Sequence, residues 1–383
     1  MNTLNKIVVA PDSFKGSLSA SEAVDLCRDA ISEVFPAAEI VGLPLADGGE
    51  GTVEVLRNSF GGNIIELEVE GPLGENIVAR YLLSSDCRDA VMEMAQAAGL
   101  CLLQPDKRNP LLTSTYGVGE MILDAIGRGC RKIFMGIGGS ATNDVGMGML
   151  RALGFRFLDK NGNELLGRGK DLESVDKIDS QYVDPKIKNV EFVVACDVDN
   201  PLVGESGASF VFAPQKGADH DTVLRLDSGM RNFAVVVENE LGKDVAEMPG
   251  AGAAGGLGAA FAAFLGARLQ SGIDMVLDAV GFDEKIKGAD LILTGEGSID
   301  RQSLMGKVLS GVLKRAKNQN IPVVAVSGQV KDSEELNRAG FAAVFPIESG
   351  SVSLETAMSK SYASANLVRT IRQILLLIKA IPK

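Results

Sequence analysis

The sequence predicts an α/β protein of two domains, one of them carried on a parallel, doubly wound sheet assembled from both ends of the chain. Three observations lead there. Strand and helix patterns alternate at the start, the same rhythm returns in the last third, and a differently patterned middle separates the two. At 383 residues the chain also exceeds the usual reach of a single hydrophobic core.

The opening "KIVVAPDSFKGSLSASEAVDLCRDAISEVF" has the order strand, loop, helix. Ser19 is expected at the N-cap with Glu22 at N3, a capping box in which each side chain satisfies the other residue's backbone N–H. Val24, Cys27, Ile31 and Val34 follow at helical spacing and give one apolar stripe. "AEIVGLPLADGGEGT" and "VEVLRNSFGG" repeat the plan, and two such units in so short a span call for parallel strands.

From Asn63 to Ala95 the rhythm changes. "NIIELEVEG", "NIVARYLLS" and "DAVMEMA" are strand-length runs divided by turn signals, as in a meander. "TSTYGVGEMILDAIGRG" is expected as a helix and "CRKIFMGIGG" as a strand, while "VEFVVACDVDN" and "GASFVFAPQKG" supply two further strand candidates. A long helix around Asp221 to Leu241 follows. Met248 to Ala267, "MPGAGAAGGLGAAFAAFLGA", carries no charge, but its glycine and alanine content suits a buried helix better than a membrane span.

The last third returns to alternation: strand "ADLILTGEGSID", helix "KVLSGVLKRAKNQ", strand "IPVVAVSGQV", helix "SEELNRAG", strand "FAAVFPI" and a final helix. Residues 1–66 and 285–383 are therefore expected to share one sheet, with 67–284 inserted as a second α/β domain and a cleft between the two. The strand at Lys132 to Gly136 fits either side. "GGEGT" at Gly48 to Thr52 and "TGEGS" at Thr294 to Ser298 echo each other after strands, which would place two glycine turns at one carboxyl edge.

Composition narrows the function. A net charge of −12 argues against a broad nucleic-acid-binding face, yet leaves room for a small anion held by a few local donors. Five scattered cysteines without a C-x-x-C pair fit reduced thiols rather than a disulfide framework or a zinc site. No membrane segment or signal peptide is apparent, so a cytoplasmic enzyme is expected. The single histidine, His220, lies in the polar "KGADHDTV" and gives little support to a hydrolase triad or a histidine-rich metal site.

Carboxylates gather after strands: Asp12, Asp47 with Glu50, Asp144, Asp197 with Asp199, and Glu296 with Asp300. One such residue alone is as well explained as a helix N-cap. Recurring beside glycines and amides, the set suits Mg²⁺, which takes few protein ligands and completes its shell from water and phosphate. Lys15, Lys216 and Lys307 occupy similar glycine turns, where an ammonium beside backbone N–H groups clamps phosphate or carboxylate. Acids and lysines together point to phosphoryl transfer.

Neither standard nucleotide motif carries that chemistry. After Gly306 and Lys307, Val308 stands where a Walker loop needs Ser or Thr. Gly250, Gly252 and Gly255 spell G-x-G-x-x-G, but "KDVAEMP" before them is no buried strand. "GIGGSATNDVGMGML", Gly136 to Leu150, follows an apolar strand and is expected to open a helix with several polar donors. Gly138, Gly139 and Ser140 would offer N–H groups to an anion at that helix N-terminus, and Thr142 and Asn143 their side chains. Asp144 would either reach a metal or cap the helix.

"KIVVAPDSFKGSL", "PLADGGEGT", "TSTYGVGE", "GIGGSATNDVGMGML", "CDVDNPL", "PQKGA", "PGAGAAGGLG" and "TGEGSIDRQSLMGK" together resemble the bacterial glycerate kinases that lack a Walker loop. The ordered blocks run from Lys6 to about Gly328. The resemblance implies ATP- and Mg²⁺-dependent phosphorylation of D-glycerate, usually at the 2-hydroxyl, and two α/β domains, one discontinuous and Rossmann-like, with the active site between them. "RQS" at Arg301 to Ser303 departs mildly from the Gly-Gln-Thr more frequent in relatives.

Family and chemistry together assign roles. Lys15 and Ser17, with Ser13 in the same loop, would hold the glycerate carboxylate. Asp197, beside Asn200, is the first choice for the residue that orients the hydroxyl and accepts its proton, and Asp47 the second. Asp300 or Glu296 would hold Mg²⁺, with Lys307 toward the phosphates and Glu50 and Lys216 as further binding groups. A kinase for another small hydroxy acid or polyol, or a non-catalytic ligand-binding regulator on the same scaffold, are the competing readings.

Overall fold

A computed structural model describes residues 3–14, 16–47, 52–304, 307–348, 350 and 352–381. The chain divides into two compact units, 1–59 with 272–383, and 60–271. These divisions fall earlier in the chain than the expected 66 and 284. Strand Gly62–Glu70 pairs along its whole length with Asn76–Ser84, so it belongs to the inserted unit. At the far side, helix Gly272–Ala279 packs against helix Val308–Asn318, where a Cβ on Gly311 would strike Ile273.

The first unit is built on five parallel strands in the order Ala343–Pro346, Val323–Val330, Leu291–Ile299, Lys6–Val9, Glu39–Gly42. Ile7, Val9, Leu293 and Val326 face helices Ala20–Val34 and Lys360–Ala380, giving one continuous core. Val8, Ile292 and Ala325, which alternate with them, are equally buried. Sheet residues with both faces covered read as unbroken apolar runs, which is why "KIVVA" and "LIL" look as they do. The capping box at Ser19 and Glu22 is present, with both reciprocal hydrogen bonds formed.

The second unit carries six strands in the order Arg268–Gln270, Glu191–Ala195, Lys132–Gly136, Asp89–Glu93, Asn76–Ser84, Gly62–Glu70. The first four are parallel and the last three form the expected antiparallel meander. Lys132–Gly136 is thus central to this sheet.

Three local expectations are corrected. "GASFVF" forms helix Ala208–Phe212 rather than a strand, because so short a mostly apolar run carries no decisive period and Gly207 packs directly on the backbone of Val203. "TGEGS" is no turn. It continues strand Leu291–Ile299, and Gly295 is there because a Cβ would lie 2.3 Å from the Val326 carbonyl oxygen. In the alanine-rich segment the helix Ala253–Leu265 forms as expected, but it is kinked through Ala254, Gly255 and Gly256, all with positive φ.

Candidate active site

The sheet of the first unit has a topological switch between Lys6–Val9 and its neighbour Leu291–Ile299. From the former the chain moves outward to Glu39–Gly42, and on the other side it runs outward from the latter. In open parallel sheets ligands bind at the carboxyl ends of the strands at such a point. Here that point holds Ala10 to Phe14, Gly16 and Ser17 on one side and Glu296 to Asp300 on the other.

A cavity of about 500 Å³ opens there. Asp12, Ser13, Ser17, Glu296, Ser298, Asp300, Lys307 and Gln329 bring polar groups to it. The loop before it is pinned to the neighbouring strand, since Ala10 and Asp12 donate their N–H groups to Leu293 and Gly295, and the Thr294 hydroxyl donates to the Ala10 carbonyl. Glu296 is almost wholly buried and accepts a hydrogen bond from the Ser303 hydroxyl. That hydroxyl in turn accepts from the N–H of Asp300. Burial raises the Glu296 carboxyl above its ordinary range, Ser303 and Lys307 oppose this, and the charges of Asp12 and Asp300 add to it.

Several of the residues expected to act together from sequence alone are therefore neighbours: Ser13, Ser17, Glu296, Asp300 and Lys307 line one cavity. A second cavity of about 500 Å³ shares Asp12, Ser13 and Ser17 and continues past the N-terminus of helix Ala20–Val34 to Leu45, Ala46 and Glu54. Asp47 is the next residue in the chain after Ala46. Lys15 and Glu50, and the glycines Gly48, Gly49 and Gly51, lie outside the described residues.

Among the described residues no group of three acidic, histidine or cysteine side chains is disposed as a complete metal cage. Mg²⁺ does not need one, because one or two carboxylates suffice when phosphate and water complete the shell. Glu296 and Asp300 are hard oxygen donors held near each other through Ser303, and their mutual charge leaves room for a cation. The donor set fits Mg²⁺.

In the second unit Gly138 to Asp144 leave strand Lys132–Gly136, and Asp197 to Asn200 leave its parallel neighbour Glu191–Ala195, so both loops emerge at the same sheet edge. Asp197 is exposed there, and Asn200 donates its side-chain N–H to the Ser206 carbonyl. Gly138 and Gly139 are exposed, but they are not at a helix N-terminus as expected. The helix starts only at Met147, and Asp144 has taken its donors.

Asp144 is fully buried and accepts from the N–H and hydroxyl of Thr115 at 2.8 Å each, and from the N–H groups of Gly146 and Gly148. The carboxylate is thus engaged by donors of Thr115 and of the turn that leads into helix Met147–Ala152, whose N-cap is Gly146. Lys216 is likewise buried, and its Nζ donates to the Thr142 carbonyl. Burial takes this ammonium down to about 7, with the Asp144 charge acting the other way. Thr142 Oγ1 and both amide atoms of Asn143 are buried without a partner.

Sequence reasoning missed Ser298, Ser303, Gln329, Glu348, Tyr362 and Asn366. Ser303 lay within the "RQS" departure from the family pattern, and its hydroxyl is what a threonine would also provide. Tyr362 and Asn366 sit about one turn apart on the final helix, Lys360–Ala380, to which sequence reasoning assigned no site residue.

A family model described as "Glycerate kinase family" matches residues 7–379. The chain belongs to the glycerate kinase family. It is 47% identical over 375 residues to the glycerate kinase of Bacillus subtilis (strain 168), covering 98% of each chain. It is 45% identical over 372 residues to the glycerate 2-kinase of Escherichia coli (strain K12), covering 96% of this chain and 98% of that one. A crystal structure from Salmonella typhimurium LT2, bearing the provisional name glycerate kinase 2, superposes with a TM-score of 0.86 at 44% identity over 99% of both chains. Family membership makes the protein a kinase. Among the described residues no helix is long and apolar enough to cross a membrane.

Proposed function

We propose that this kinase transfers the γ-phosphoryl group of ATP to the 2-hydroxyl of D-glycerate, with Mg²⁺. The observation that carries the reading is the cavity at the sheet's switch point, where Asp12, Glu296, Asp300 and Lys307 converge with Ser13 and Ser17. The names of the relatives, which place glycerate and in one case its 2-position in the reaction, support the substrate.

In the transfer, the glycerate hydroxyl oxygen bonds to the γ-phosphorus as the bond to the ADP oxygen breaks, and the hydroxyl proton passes to a carboxylate. Little base strength is needed, since positioning and neutralised charge supply most of the rate. Lys307 would face the phosphates, where its ammonium offsets charge in a site otherwise lined by acids. Glu296 and Asp300 would hold Mg²⁺, whose chemistry is to neutralise phosphate oxygens. The Ser303 hydroxyl, which donates to the Glu296 carboxylate, would help to orient it for that role.

Asp197 is proposed as the proton acceptor and Asp47 as the alternative. Exposure at the carboxyl end of a parallel strand supports the former, and the position of Asp47 next to the cavity residues Leu45 and Ala46 supports the latter. Lys15, with Ser13 and Ser17, remains the proposed clamp for the glycerate carboxylate.

Initial-rate assays with ATP and D-glycerate, L-glycerate, hydroxypyruvate and glycerol test the reading. D-Glycerate should give the highest kcat/KM. Preference for a polyol or another hydroxy acid would move the protein to a different substrate, and tight binding without turnover would make it a regulator.

A further inference from the structure

The cavity at the switch point has two kinds of wall. The strand ends and the loops after them bring carboxylates, hydroxyls, Lys307 and Gln329. The segment that follows the edge strand Ala343–Pro346 brings Ile347, Leu354, Ala357, Met358 and Ala363. Glycerate is a three-carbon anion with an oxygen on every carbon, and it offers nothing to cover the second wall. A cavity of about 500 Å³ with a broad apolar lining and a few convergent polar groups is the form taken by sites for larger, partly flat ligands.

The apolar wall is also incompletely buried. Leu354 is 75% and Met358 40% exposed, beside the exposed Val352. A cluster of large apolar side chains left open at a cavity mouth marks a surface that something else covers. Gly16 has φ +81° and sits under Met358, whose Cε would lie 2.4 Å from any Cβ there. The turn that carries Ser17 is thus shaped to admit this methionine, a side chain that adapts well to aromatic faces. Tyr362 and Asn366, four residues apart on helix Lys360–Ala380 and so on one face, add a phenol and an amide to the same wall.

We propose that Ile347, Leu354, Ala357 and Met358 form the seat of the purine base of the phosphoryl donor, with Tyr362 and Asn366 reading its polar edge and its phosphates running toward Lys307. This rests on the reading that ATP is the donor, and it assigns the segment after Ile347 a role that no nucleotide motif in the sequence announces. The glycerate site then lies away from this wall.

The experiment compares ATP with inorganic tripolyphosphate, which keeps the charge and lacks the base. Wild type, Ala357→Phe, which fills the cavity, and Leu354→Asn, an uncharged change at an exposed position that does not strain folding, are titrated as full chains with a fluorescent ATP analogue displaced by either ligand. Thermal unfolding monitors integrity. The substitutions should weaken ATP by about tenfold or more, leave tripolyphosphate within about twofold and leave the KM for glycerate unchanged. Equal losses for ATP and tripolyphosphate, no loss for either, or a change confined to glycerate would each overturn the assignment. A wild-type protein that neither binds nor uses ATP would instead defeat the underlying choice of donor, and the two failures are read on different samples.

Discussion

Lys216 Nζ lies 2.6 Å from the carbonyl oxygen of Thr142, and both residues are closed off from solvent. A lysine expected to clamp a ligand thus holds the signature loop "GGSATND" in place from beneath. Burial brings its ammonium down to about 7, and the Asp144 charge acts the other way.

The pH dependence of stability tests this placement. Unfolded Lys216 titrates at its ordinary 10.5, so between about pH 7 and 10.5 the unfolded chain binds the extra proton. The contribution of this residue to stability must therefore rise with pH through that window and be flat below it. Lys216→Met should remove this rise in chemical-denaturation curves taken from pH 7 to 10. Parallel pH profiles for the two proteins would show that the lysine is hydrated in solution.

Asp144 is predicted to be structural. Its carboxylate receives four donors, from Thr115, Gly146 and Gly148. Asp144→Ala strands all of them in a buried site and should lower unfolding free energy by about 3 kcal/mol or more. The Mg²⁺ concentration for half-maximal rate, measured on the folded fraction, should not move. A shifted Mg²⁺ requirement with unchanged melting would return Asp144 to the metal.

Lys307→Ala should raise the KM for ATP, by about tenfold if one charge-assisted contact to phosphate is lost, while the KM for glycerate stays close to wild type. The residue is only half-buried at the start of helix Val308–Asn318, so melting should change little. An unchanged ATP requirement would remove Lys307 from the phosphates.

Asp197→Asn should cut kcat by orders of magnitude, about 10²-fold or more for a lost proton acceptor, measured on the folded fraction so that lost chemistry is separated from lost stability. If turnover survives there and falls in Asp47→Asn, the acceptor is Asp47.

The parallel-sheet core was legible because "KIVVA", "LIL" and "VVAV" are buried on both faces and alternate with amphipathic helices at short spacing. The candidate site was partly legible for a related reason, since polar residues at and just past the carboxyl ends of such strands share one edge, as Ser13 and Asp300 do beside Glu296 in the last half of its strand. What glycine does locally was harder to foresee. Gly295 and Gly255 look like turn residues, yet the first allows strand approach to Val326 and the second lets its backbone meet Thr142. Asp144 could cap or ligate on sequence grounds, and nothing in the sequence announces that Thr115, 29 residues earlier, donates to it twice. Tyr362 and Asn366 were invisible because polar residues a turn apart on a helix look like a solvated face.

Phosphorus NMR of the wild-type protein with ATP, Mg²⁺ and D-glycerate tests the central claim most directly. The γ-phosphate resonance of ATP should be replaced by that of ADP together with a phosphomonoester split by a single carbinol proton, the signature of 2-phosphoglycerate. A triplet from a primary phosphate, or an ATP spectrum that does not change with D-glycerate present, would contradict it.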